Sequence, residues 1–148
     1  MTQEICVPSA GFISCLAWLK LTDRDEDTFI FGASDRNIHL YRQPKDSPLF
    51  TFSLICLMHC GAIESLAWNP QHRQLASVGN GEAHMWKVAP DLSKYRIRCT
   101  SILLTCAPSD SFIPLTARSK KQPYMACSVH FLDDGSNILV CYLESRYV

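Results

Sequence analysis

The chain has 148 residues, 47% of them hydrophobic and 19% charged, a balance that fits a folded globular chain and excludes an intrinsically disordered one. Fourteen basic residues stand against fourteen acidic ones, so no net field draws the protein to nucleic acid or to an anionic membrane. No apolar run reaches the roughly 18 residues that span a bilayer, and the opening MTQEICVPSAG lacks the basic flank and long apolar stretch of a secretory signal. The expected location is the cytoplasm or nucleus.

In chain order, Ile5-Cys6-Val7 is a short apolar segment stopped by Pro8, which reads as the last strand of a neighbouring unit. Residues 12–18 form a nearly continuous apolar run and suggest a strand buried on both faces. Asp23, Arg24, Asp25, Glu26 and Asp27 make a solvated turn that lacks the glycine and spaced glutamate of a calcium loop. Residues 29–31 are a second strand, Ser34–Asn37 supplies turn chemistry, and residues 38–42 alternate as a third strand. A loop marked by Pro44, Asp46 and Pro48 leads to a fourth strand within 49–57.

The pattern then restarts. Gly61, Ile63, Leu66, Ala67 and Trp68 repeat Gly11, Ile13, Leu16, Ala17 and Trp18 at a shift of 50, and Ala83-His84-Met85-Trp86 echoes Ile38-His39-Leu40-Tyr41 at a shift of 45. Asn80-Gly81 between two apolar runs predicts a tight hairpin, because this dipeptide tolerates positive φ. A fourth strand is expected within 97–105, followed by a polar, proline-punctuated loop. Val129-His130-Phe131 begins a third copy, with a turn at Asp133-Asp134-Gly135. Self-similarity near 45 residues implies an array whose units bury their faces against one another.

The residues that could carry chemistry are few. The eight cysteines (Cys6, Cys15, Cys56, Cys60, Cys99, Cys106, Cys127, Cys141) contain no CxxC pair and are expected to be free, buried thiols. Cys56, His59 and Cys60 place three soft ligands within five residues, but no fourth follows at matching spacing, so no metal is expected. Gly79-Asn80-Gly81 is followed by Glu82 rather than the lysine and helix of a phosphate loop, so no cofactor is expected either. Trp18, Trp68 and Trp86 sit at repeat positions, which predicts core rather than stacking platforms for RNA. Arg118-Ser119-Lys120-Lys121 reads as a solvated loop.

Four-stranded units that open on Ile-x-x-Leu-Ala-Trp and close their third strand on an aromatic resemble the blades of WD-repeat β-propellers. The likeness covers residues 11–88 and, in part, 127–143. It implies an all-β fold of four-stranded antiparallel blades, incomplete at about two and a half: blade 1 at 11–57, blade 2 at 61–106, a loop at 107–124, and the start of blade 3 at 125–148. His59 stands four residues before Ile63, where the family places its histidine; Asp35, six before Tyr41, matches the turn aspartate, and Asn80, six before Trp86, replaces it in the second unit. Ser77 and Trp86 look like the family's Ser/Thr and tryptophan of strands two and three. Met58 replaces the family glycine before His59, Ser9 replaces the first histidine, and Arg42 and Lys87 replace the name-giving aspartate. The resemblance implies a buried hydrogen-bond relay of His59, Ser77 and Trp86 with Asn80, structural rather than catalytic.

Propellers close with about four to eight blades, so the chain is expected to be a fragment of a longer propeller or to self-associate through an open edge. The implied function is a non-enzymatic scaffold for other proteins, with no nucleic acid or membrane partner, touching them through loops 23–27 and 108–123. The alternative is an RNA-binding propeller module.

Overall fold

The computed structural model describes residues 2–7, 10–21, 26–57, 59–80, 82–88, 98–102, 125–132, 135 and 137–143. Among these the chain is all β: β1 Ile13–Leu19, β2 Thr28–Ala33, β3 Asn37–Arg42, β4 Thr51–Leu57, β5 Ser65–Asn69, β6 Gln74–Gly79, β7 Glu82–Lys87, β8 Arg98–Ile102, β9 Met125–Leu132 and β10 Asn137–Leu143. Neighbouring strands pair antiparallel in sequence order, giving sheets β1-β2-β3-β4, β5-β6-β7-β8 and β9-β10. No described helix is long and apolar enough to cross a membrane. The proposed loop 107–124, residues 23–25 of the acidic turn, and Gly81 lie outside the described residues.

Local chemistry explains the hairpins. A three-residue loop joins β2 to β3, with Arg36 at φ 72° and its N–H donating to Ala33 O at 3.2 Å. That is the αL third position such loops require. The β6–β7 turn places Asn80 at φ 49°, a conformation asparagine tolerates. At the β5–β6 turn the Asn69 side chain accepts N–H bonds from Gln71 (2.9 Å) and His72 (3.2 Å), an Asx turn.

The sheets stack face to face. Leu19, Leu21, Ile30, Ile38 and Leu40 of the first sheet and its β1–β2 connection meet Ile63, Leu75, Trp86 and Val88 of the second. Ala76, Val78 and Ala83 of the second meet Ala126 and Val129 of the third. β5 lies between β1 and β9, so the opening strand of each sheet adjoins the next. A Cβ on Gly32 would stand 2.5 Å from Ile63 Cγ2, so glycine there permits the close approach of the first two sheets. Each fully buried Ile or Leu in these seams stabilises the fold by about 1.5–3 kcal/mol.

Several sequence expectations change. β1 is buried on one face only: Cys15, Ala17 and Leu19 pack toward the second sheet, while Leu16 and Trp18 are 54% and 55% exposed. β3 does not alternate, because Ile38 and Leu40 fill one seam while His39 and Tyr41 are covered on the other face. The N-terminal segment is no strand; Ile5 and Val7 instead lie against Phe31 and Tyr41 on the outer face of the first sheet. Cys6, Cys60 and Cys141 are free but exposed rather than buried.

Candidate functional site

The second sheet is built around a buried polar chain. β6 and β7 pair Ser77 with His84 and Leu75 with Trp86, which sets the serine and the indole on one face. The Trp86 Nε1–H donates to Ser77 Oγ at 2.8 Å, and Ser77 Oγ shares a second hydrogen bond of 2.7 Å with His59 Nε2. Ser77 is fully buried, Trp86 2% exposed and His59 7% exposed. A serine–histidine pair at this distance has the geometry of a nucleophile and its base. Burial and the indole donor remove it from that use, because no substrate carbonyl can reach Oγ.

A second cluster adjoins it. Glu82 Oε2 lies 3.4 Å from His84 Nε2 and accepts the Cys60 N–H at 3.2 Å, and the His59 and His84 rings meet edge to face with centroids 4.4 Å apart. Burial, and then the neighbouring His84, push the His59 pKa down to about 4 against the opposing pull of Glu82 and the Gly79 backbone. Its imidazole is therefore neutral at pH 7. Hydrogen bonds from Cys60 and His84 hold Glu82 below the usual carboxylate range, although burial alone would raise it. The Cys60 thiol is pushed up by its hydrogen bond to Glu82. His59, Glu82 and His84 each offer one ligand atom, and these atoms lie within 4.8 Å of one another.

The first sheet fills the equivalent positions differently. Phe31 stands where Ser77 does and Tyr41 where Trp86 does. Phe31 stacks on His39 (centroids 4.7 Å, 10°) and on Tyr41 (5.8 Å, 23°), and Tyr41 stacks on Phe29 (5.5 Å, 8°). Asp35 accepts from the Asn37 N–H at 3.1 Å and from Asn37 Nδ2 at 2.8 Å, and pairs with His39 Nε2 at 2.9 Å. These bonds overcome the effect of burial and lower the Asp35 pKa.

The outer face of the first sheet carries Leu16, Trp18 and Phe52, each more than half exposed. Trp18 meets Phe29 and Phe50 edge to face at 5.6 and 5.9 Å. With Gln3 and Ile5 they border an open groove of about 370 Å³. In the second sheet the corresponding residues, Leu66 and Trp68, pack against the first sheet.

Of the residues singled out from sequence, His59, Ser77 and Trp86 are brought together, Asp35 and Tyr41 occupy the turn and ring stack of the first sheet, and Asn80 stands exposed at its hairpin tip, outside the polar chain. Cys60 was weighed with Cys56 and His59 as a soft-ligand trio, whereas the structure sets it beside Glu82; the grouping of Glu82 and His84 with it was missed. The i, i+2 spacing of Glu82 and His84, which puts both on one strand face, was the available signal. Trp18 was expected in the core, but it is 55% exposed, beside the part of the outer face on which Ile5 and Val7 lie. No protein-family model matches the chain, and no curated protein is significantly similar to it.

Proposed function

We propose that the chain is a non-enzymatic protein–protein interaction scaffold built from WD-repeat blades, and that one contact surface is the outer face of the first sheet. The observation that carries this reading is the contrast between Trp68, packed against the adjoining sheet, and Trp18, its repeat counterpart, 55% exposed on the same side of its own sheet. Among the described residues this face is covered only in part, by Ile5 and Val7, and leaves Leu16, Trp18 and Phe52 exposed; exposed apolar patches of this kind mark interaction sites. The propeller reading is supported by the matching strand plan of the first two sheets and by the His59–Ser77–Trp86 chain.

The occupant is a second copy of this chain. The third sheet exposes Leu132 and Leu139 on the side facing away from the second sheet, the side that the first sheet turns toward its neighbour. Seating that face on Trp18 of another copy repeats the stacking within the chain, as a head-to-tail contact. Sedimentation velocity across a concentration series tests it. Wild type associates reversibly, and Trp18→Glu, folded by circular dichroism, sediments as a monomer. A wild-type chain that stays monomeric at every concentration, or a Trp18→Glu variant that associates equally, overturns the assignment.

A further inference from the structure

We infer that His59, Glu82 and His84, closed by the Cys60 thiolate, form a binding site for one zinc-class divalent transition metal at the hairpin end of the second sheet. The sequence supplies His59 and Cys60 side by side before β5, and the β6–β7 hairpin folds Glu82 and His84 against them. Two imidazoles, a carboxylate and a thiol are a donor set for zinc, cobalt or copper. Magnesium and calcium, which want oxygen alone, are disfavoured.

Four observations converge on this place. The three ligand atoms of His59, Glu82 and His84 lie within 4.8 Å of one another. Ligands about 2.0–2.2 Å from a tetrahedral zinc stand roughly 3.3–3.6 Å apart, so a small inward rotation of the partly exposed Glu82 side chain moves the set toward that spacing. His59 Nδ1 is buried and makes no bond of hydrogen-bonding geometry, although the Gly79 backbone acts on the ring, which is more than nine-tenths buried. Its other nitrogen, Nε2, faces Ser77 Oγ at 2.7 Å. A ligating histidine is commonly oriented by a hydrogen bond from its second nitrogen. With Nε2–H donating to Ser77, which also accepts from Trp86, the buried chain would fix the tautomer that leaves the Nδ1 lone pair free. The Cys60 sulfur is not one of the three clustered ligand atoms; the Cys60 N–H bonds Glu82 at 3.2 Å and its side chain is exposed, so it is the neighbouring side chain that would swing in to close the site.

With four protein ligands the site would be structural, tying the segment before β5 to the β6–β7 hairpin. The test uses the full chain freed of metal with chelator, then titrated with Co²⁺ alone and with Zn²⁺ in competition. The expected result is one equivalent of cobalt with tetrahedral d–d absorption and a thiolate charge-transfer band, displaced by zinc. Cys60→Ser removes the charge-transfer band, and Glu82→Gln weakens the affinity by roughly tenfold or more. Both substitutions are at partly or fully exposed positions, and circular dichroism checks the fold. A charge-transfer band that survives Cys60→Ser, an affinity unchanged in Glu82→Gln, or an absence of saturable binding overturns the site.

Discussion

In the second sheet the paired strands β6 and β7 carry Ser77 and Trp86, joined through hydrogen bonds to His59; in the first, β2 and β3 carry Phe31 and Tyr41 in a column of stacked rings. The strand plan, hairpin positions and inter-sheet faces correspond, so the fold requires only that this place be filled and its polar atoms satisfied. A polar chain is directional, since each donor needs its acceptor, and losing one member leaves a buried group unpaired. A ring stack has no such dependency. It relies on area and ring geometry, about 0.5–1.5 kcal/mol per aromatic pair beyond burial.

The sharpest way to break the comparison is at tryptophans in the two sheets. Trp86→Ala should cost about 3–5 kcal/mol in urea unfolding, because it empties a core position and strands Ser77. Trp18→Ala should cost less than about 1 kcal/mol in the monomer, since the side chain is 55% exposed. Equal losses would mean that both faces are covered in solution.

Acid separates the sheets next. His59 has a folded pKa of about 4 against an unfolded value of 6.5. Between these values the unfolded chain takes a proton that the folded one refuses, so stability falls as pH drops through this window and levels off below it. For metal-free protein the loss is no more than about 3 kcal/mol, read from urea midpoints at each pH. His59→Asn should lack this slope.

How far the sequence could foretell this depends on what repetition encodes. Repeated Ile, Leu, Ala and Trp placed β1 and β5, and Asn80-Gly81 placed the β6–β7 hairpin, because strand period and turn chemistry are local. The resemblance also led to His59, Ser77 and Trp86, which the structure joins although 18 and 9 residues separate His59 from Ser77 and Ser77 from Trp86. The exposure of Trp18 was hidden because a repeat position records which way a side chain points, not whether anything lies opposite. Spacing puts His59 beside Cys60 and Glu82 on one strand face with His84, but the meeting of the two pairs was hidden because it depends on the hairpin folding back over the segment before β5, a tertiary event.

Smaller effects refine the contrast. Ser77→Ala should destabilise by about 1–3 kcal/mol by leaving the Trp86 N–H and a His59 nitrogen buried without their partner. In the first sheet Asp35→Asn should cost less than about 1 kcal/mol, as suits a partly hydrated turn carboxylate. Because the folded-state pKa of Asp35 is lowered, its contribution is present above its ordinary value of 3.8 and is lost as pH falls through the lower folded value. Acid should therefore weaken the His59 region first and the Asp35 turn last, an order that backbone amide exchange can follow segment by segment.

The central claim is that one sheet is locked by mutually dependent polar groups where its neighbour relies on packed rings. A double-mutant cycle in urea, Ser77→Ala with Trp86→Phe, measures that dependence directly. The account predicts that the two losses overlap, with a coupling of about 1 kcal/mol or more. Losses that add within about 0.3 kcal/mol would contradict it.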